Sequence, residues 1–158
     1  YEIGVRLVGS EMCIRDSVFI AYASVYGNTR KAADMLASKL ADKGVHVTVS
    51  DLARDDWAEC LEDAFRYGKL VLAAPTYNAD VFPAMKEFIN HLTERNYQNR
   101  TIGIIENGSW APMAAKVMKG MFEKSKNITF AENTVTVRSA VNAANEAQIE
   151  ALAEELKG

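Results

Sequence analysis

The sequence is poor in residues that staple or ligate. It holds two cysteines, Cys13 and Cys60, and two histidines, His46 and His91. Two thiols make no disulfide framework, and neither lies in a spacing that binds metal or reacts with a partner thiol. Two histidines exclude a histidine-rich transition-metal centre. No apolar run approaches the roughly 20 residues needed to cross a bilayer, and no stretch has the layout of a secretory signal, so the chain reads as soluble and cytoplasmic. A basic excess is missing too. The formal net charge is −3 with basic residues dispersed, which leaves no electrostatic footprint for nucleic acid. With three prolines and nine glycines in 158 residues, there is no Pro/Gly/Ser-rich linker, low-complexity tract or internal repeat. What the chain has is apolar bulk, 49% of its residues, enough for a single core.

Residues 1 to 17 show neither strand nor helix periodicity. The stretch from Leu7 to Ser17 resembles a translated sequencing adapter, its last part back-translating to the end of a transposase-type library adapter. It is set aside from fold reasoning as a non-native or disordered leader. The domain is expected to span 18–158. Without the leader's charges it carries 16 basic and 18 acidic residues.

From Val18 onward, strand-like runs alternate with helical patterns. Val18–Tyr22, Leu70–Ala74 and Ile102–Ile105 are nearly continuous apolar runs, as strands covered on both faces should be. Val45, Val47 and Val49 alternate with polar residues, as do Val135 and Val137, so these two strands each have a wetter face and belong at sheet edges. Helical spacing links Ala32, Ala33, Leu36 and Leu40; Trp57, Cys60, Leu61 and Ala64; Met85, Phe88, Ile89 and Leu92; Ala114, Val117, Met118 and Met121; and Ile149, Leu152, Ala153 and Leu156. Pro83 and Pro112 mark the first turns of the third and fourth helices, and Gly44 follows the first. Five strands alternating with five helices predict an α/β fold: a three-layer, doubly wound parallel sheet in the order 2-1-3-4-5.

Ligands of such sheets bind beyond the carboxyl ends of the strands where strand order reverses, so the loops after the first, third and fourth strands should meet. The first, Ala23-Ser24-Val25-Tyr26-Gly27-Asn28-Thr29, lies between a buried strand and a helix. Ser24 and Thr29 supply hydroxyls, Gly27 permits close approach, and the helix's free N–H groups favour an anion. It lacks the Gly-Lys-Ser/Thr ending of a triphosphate loop and the three glycines of a dinucleotide fingerprint. A phosphate monoester suits it; the bland alternative is that Ser24, Asn28 and Thr29 only cap the helix. The second loop, Pro75-Thr76-Tyr77-Asn78-Ala79-Asp80, and the third, Glu106-Asn107-Gly108-Ser109-Trp110-Ala111-Pro112, combine an aromatic ring with amide and backbone groups. Together they suit a flat heterocycle, while Tyr77 or Trp110 alone reads equally well as a half-buried surface aromatic.

These three loops, in this order and spacing, are similar to the FMN site of flavodoxin-like domains. The resemblance is strongest to the C-terminal flavodoxin domain of flavodiiron proteins, over Val18 to Gly158, with Val135-Thr136-Val137-Arg138-Ser139-Ala140 as a weaker match. It implies that Ser24, Tyr26, Asn28 and Thr29, with Val25 and Gly27 between them, hold the FMN phosphate. It also implies that Thr76, Tyr77 and Asn78, preceded by Pro75, and Asn107, Gly108, Ser109 and Trp110 surround the ribityl chain and ring. Whole flavodiiron proteins reduce dioxygen or nitric oxide at a diiron centre in a preceding domain, receiving electrons typically from rubredoxin. The chain is therefore expected to be an electron-relay fragment without catalytic or metal-binding residues of its own, with a rubredoxin-like donor and a diiron domain as partners. A homodimer is left open. Many related sites place glycine in the second loop, where this chain has Ala79 and Asp80.

The nearest rival is a free-standing flavodoxin, which normally has a more acidic surface. A quinone reductase would carry extra loop structure around the ring. A receiver-type signalling module needs an acidic cluster where this chain has Ala23-Ser24 and Ala74-Pro75. A flavin-free interaction domain shares the fold as well. Met113, Met118 and Met121 read as core filler, and His46 and His91 as surface residues. The acidic group Asp51, Asp55, Asp56, Glu59, Glu62 and Asp63 reads as a solvated face.

Overall fold

The computed structural model describes residues 17–23, 28–52, 54–77, 80–81, 83–95, 97–98, 100–107, 114–123, 125–137 and 143–157. Cys13, the leader before residue 17, Pro112 and Met113 lie outside them.

The apolar run at the start of the domain forms β1 (Val18–Tyr22), buried throughout, and α1 (Asn28–Asp42) carries the chain over the sheet to β2 (Val47–Asp51). Then come α2 (Trp57–Arg66), β3 (Lys69–Tyr77), β4 (Asp80–Val81), α3 (Pro83–Glu94), β5 (Arg100–Asn107), α4 (Ala114–Met121), β6 (Ile128–Phe130), β7 (Val135–Val137) and α5 (Ala143–Lys157). The main path runs β2-β1-β3-β5-β6, all parallel, with β7 also on β5. The expected order 2-1-3-4-5 is therefore present, counting β6 and β7 as the fifth position.

Alternate residues of each central strand face opposite layers. Val18, Ile20, Val71, Ala73 and Ile105 pack with Leu36 and Leu40 of α1 and Ile149, Leu152 and Leu156 of α5. Phe19, Ala21, Leu70, Leu72, Ile102 and Ile104 pack with Cys60 of α2, Met85, Phe88, Ile89 and Leu92 of α3, and Met118 of α4. Met118 is core filler, as expected. Gly103 admits α5 closely: a Cβ there would lie 3.2 Å from Leu152 Cδ1.

Three boundaries differ from the sequence reading. β2 starts at Val47 rather than Val45, because the N–H of Val45 closes the end of α1 onto Leu40 O at 3.0 Å while Gly44 N–H bonds Ala41 O. Gly44, at φ +82°, supplies the left-handed residue this ending requires. The fifth strand is broken in two. β6 opposes Arg100–Ile102 and β7 opposes Ile105–Asn107, so residues 131–134 span only Gly103 and Ile104. The resulting excess of chain turns outward, where Glu155 of α5 accepts the N–H groups of Glu132 (2.8 Å) and Asn133 (3.1 Å). Third, β3 runs on to Tyr77 and pairs antiparallel with β4, Thr76 opposite Val81 and Tyr77 opposite Asp80. Pro75, Thr76 and Tyr77, expected in a loop, thus belong to β3, and Asp80 to β4.

Ser17, on the leader side of the expected boundary, is buried, and its carbonyl accepts the N–H of Lys69 at 3.3 Å. His46 is exposed, as expected, but precedes β2 and reaches Tyr67 Oη at 3.3 Å. His91 is half-buried, edge-on to Trp57 at 5.6 Å. The acidic group is in part structural: Asp56 caps α2 through Ala58 N, and Glu62 and Asp63 pair with Arg66.

Gly44→Ala should lower stability by about 1 kcal/mol, because an alanine is strained at positive φ, and should reduce the thermal midpoint by about 3 °C in a melting experiment. The Cys60 thiol is pushed up to about 11, foremost by burial. Its protonated form is favoured in the fold, so its contribution to stability is present below the unfolded thiol's range and is lost as pH rises from about 9 to about 11. In a Cys13→Ser background, Cys60 should resist a thiol reagent at pH 7.5 and react promptly in denaturant. Prompt labelling of the native protein would contradict its burial.

Candidate functional site

The crossovers part between β1 and β3. From β1 the chain turns into α1 on one face, and from β3 into α3 on the other. A crevice at the carboxyl ends of these strands follows from that divergence. Ala23, where β1 ends, is buried and its N–H bonds Ala73 O of β3 at 3.0 Å. The helix begins at Asn28, so Asn28 and Thr29 belong to its first turn rather than to a loop. The N–H groups of that turn have no partner within the helix and point toward the same crevice end.

Thr29 is 2% exposed, and its Oγ1 accepts a hydrogen bond from Asn107 Nδ2 at 3.4 Å, across 78 residues of sequence. Asn107 ends β5 and stands in register with Pro75 of β3. One residue from each of the three expected loops is thereby brought together: Thr29, Pro75 and Asn107. Thr76 and Tyr77 continue β3 beside them, where they pair with Val81 and Asp80 of β4. Ser24, Val25, Tyr26, Gly27, Asn78, Gly108, Ser109 and Trp110 lie outside the described residues, as do the side chains of Asn28, Pro75, Thr76 and Tyr77. Asp80, standing where related sites often place glycine, pairs with Tyr77.

One polar residue at this rim was given no role by the sequence reading. Glu106, next to Asn107, is 8% exposed. Its Oε1 accepts the N–H of Ala115 in the first turn of α4 at 3.0 Å, and its Oε2 accepts the hydroxyl of Thr136 in β7 at 2.8 Å. A carboxylate directly after the apolar run Ile102–Ile105 was the available signal. Thr136 is held in turn by α5: its carbonyl accepts Asn145 Nδ2 at 2.7 Å and its N–H donates to Gln148 Oε1 at 3.3 Å. Nearby, the Tyr22 phenol is pushed above its ordinary range, first by burial and then by the negative charge of Asp51. Among the described residues no group of acidic, histidine or cysteine side chains is placed to hold a metal ion, and no helix is long and apolar enough to cross a membrane.

The family described as "Flavodoxin domain" matches residues 19–142. The chain belongs to that family. Flavodoxin domains bind FMN, the cofactor the three loops suggest. Among curated relatives, the Coenzyme F420H(2) oxidase of Methanothermobacter marburgensis is 30% identical over 89 residues, covering 56% of this chain and 22% of that protein. The anaerobic nitric oxide reductase flavorubredoxin of Pectobacterium carotovorum is 27% identical over 97 residues, covering 60% and 19%. This flavodoxin domain thus spans about a fifth of the length of either. Among solved structures, the rubredoxin oxygen:oxidoreductase of Desulfovibrio gigas superposes with a TM-score of 0.84 at 20% identity, over 90% of this chain and 35% of that one. Free-standing flavodoxins share the fold as well.

Proposed function

We propose that this domain binds one FMN non-covalently and relays electrons through it, as part of a flavodiiron-type protein that reduces dioxygen or nitric oxide. The observation that carries the reading is the junction of Thr29 and Asn107 beside Pro75, which gathers three widely separated segments at the switch point of the sheet. In this reading Ser24, Val25, Tyr26, Gly27, Asn28 and Thr29 hold the phosphate through hydroxyls and the N–H groups of the first turn of α1. That donor set is neutral and suits a monoester. Pro75, Thr76, Tyr77, Asn78, Asn107, Gly108, Ser109 and Trp110 flank the ribityl chain and ring. The bound flavin supplies one- and two-electron storage, and the protein fixes its orientation and excludes water.

The names of the relatives support the larger assignment. An oxidase, a nitric oxide reductase flavorubredoxin and a rubredoxin oxygen:oxidoreductase all contain a segment like this one. Electrons would come from a rubredoxin-like donor and leave to a diiron domain of the full-length protein. We place that protein in the cytoplasm.

The purified domain should bind FMN, with the flavin's visible absorption and quenched fluorescence, and should bind riboflavin far more weakly. Replacing Ser24 and Thr29 together by alanine should weaken FMN at least about tenfold, the scale of one or two lost hydrogen bonds to a charged group, and leave riboflavin little changed. Equal affinity of the unaltered domain for both flavins would refute the phosphate cradle.

A further inference from the structure

Thr29 and Asn107 meet at the switch point of the sheet, and the direction of the bond between them limits what the hydroxyl can do. A threonine hydroxyl has one proton to give and two lone pairs, whereas the amide nitrogen of asparagine only donates. Here Asn107 Nδ2 donates to Thr29 Oγ1 at 3.4 Å. The hydroxyl proton therefore points away from Asn107, since two donors cannot share one line. Among the described residues Thr29 Oγ1 has no second partner, and the residue is 2% exposed. A buried O–H without an acceptor is costly, so this position favours a ligand atom that only accepts. The oxygens of a phosphate dianion are of that kind.

Both groups sit on elements that the core fixes. Asn107 ends β5 and stands in register with Pro75 of β3 on one side and Val137 of β7 on the other. Thr29 lies in the first turn of α1, and Ala32 and Ala33, one turn on, are fully buried in the core. At 3.4 Å the bond is long for N–H···O, so it sets the rotation of the hydroxyl more than it adds stability. An amide on a paired strand does this without itself touching the ligand.

We infer that Asn107 is a positioning residue for the phosphate: by filling the acceptor side of Thr29 Oγ1 it makes the hydroxyl an oriented donor toward the anionic end of the flavin. The inference rests on the FMN reading above and deepens it, because the resemblance puts Asn107 beside the ribityl chain and ring, while this bond gives it a task at the other end of the ligand. Without Asn107 the hydroxyl turns among its staggered positions, and the ligand itself must bear the cost of ordering it.

The test measures dissociation constants of FMN and riboflavin by flavin fluorescence for the unaltered domain, Asn107→Ala, Thr29→Val and the double variant, with circular dichroism to verify folding. Whatever Asn107 contributes at the ring is common to both flavins and cancels in the ratio of the two constants. In Asn107→Ala the preference for FMN over riboflavin should fall about fivefold, and in Thr29→Val about tenfold, the scale of a lost hydrogen bond to a charged group. In the double variant it should stay within about twofold of Thr29→Val alone, because Asn107 acts through a hydroxyl that is no longer there. Where the alanine variant does not fold, Asn107→Leu, close in size to asparagine, replaces it in both backgrounds with the same expectation. An unchanged preference in either folded single variant, or an equal further loss when residue 29 is already valine, would overturn the positioning role. If the unaltered domain prefers FMN and only the Asn107 variants behave otherwise, the FMN reading survives. If it binds both flavins alike, or neither, both fall.

Discussion

Parallel strands joined by crossover helices must be covered on both faces, and here α1 and α5 cover one side while α2, α3 and α4 cover the other. That covering leaves the carboxyl ends of the strands as the open rim. The two apolar layers hold β1, β3 and β5 in fixed register, and the register brings Pro75 beside Asn107. The rim is therefore positioned by the core, through strands whose central runs, Val18–Ala21, Leu70–Ala74 and Ile102–Ile105, are apolar. Loops on such a rim can differ in sequence without disturbing what holds them.

Polar interactions then act where the core ends. Glu106 and Asn107 close the last central strand with side chains directed to opposite faces. The first gathers α4 and β7, and the second reaches α1. At the outer edge the broken fifth strand is pinned from α5 by Glu155, Asn145 and Gln148. Short edge strands whose amides are engaged by a helix present little template for pairing with another chain. At the far edge, β2 is half-buried and Thr48 bonds Tyr67 Oη at 2.7 Å. These bonds are each worth about 1 kcal/mol, so their importance is geometric more than energetic.

The family link and the site make separate contributions. Similarity over 19–142 establishes a flavodoxin domain, and relatives of which this chain spans about a fifth underlie the proposal that it works within a larger protein. The chemistry of the rim is the domain's own. Among the described residues, Thr29 of the first turn of α1 and Asn107 at the end of β5 meet there.

The residue pattern alone determined the layers and the strand order. Short continuous apolar runs set between helical patterns fit strands covered on both faces, and helical spacing shows where the covers lie. Val135 and Val137 marked an edge, and Gly44 the end of a helix, through local rules that tertiary contacts do not override. The break between β6 and β7, the hairpin at Thr76–Val81 and the role of Glu106 were decided by the tertiary structure. Ile128–Phe130 is too short for an alternation to register, and a hairpin of two residues a side carries almost no signal of its own. A glutamate after a strand looks like any solvated carboxylate until the fold brings Ala115 and Thr136 to its two oxygens. Periodicity is a property of neighbours along the chain, whereas the satisfaction of a buried charge depends on groups that only folding makes neighbours.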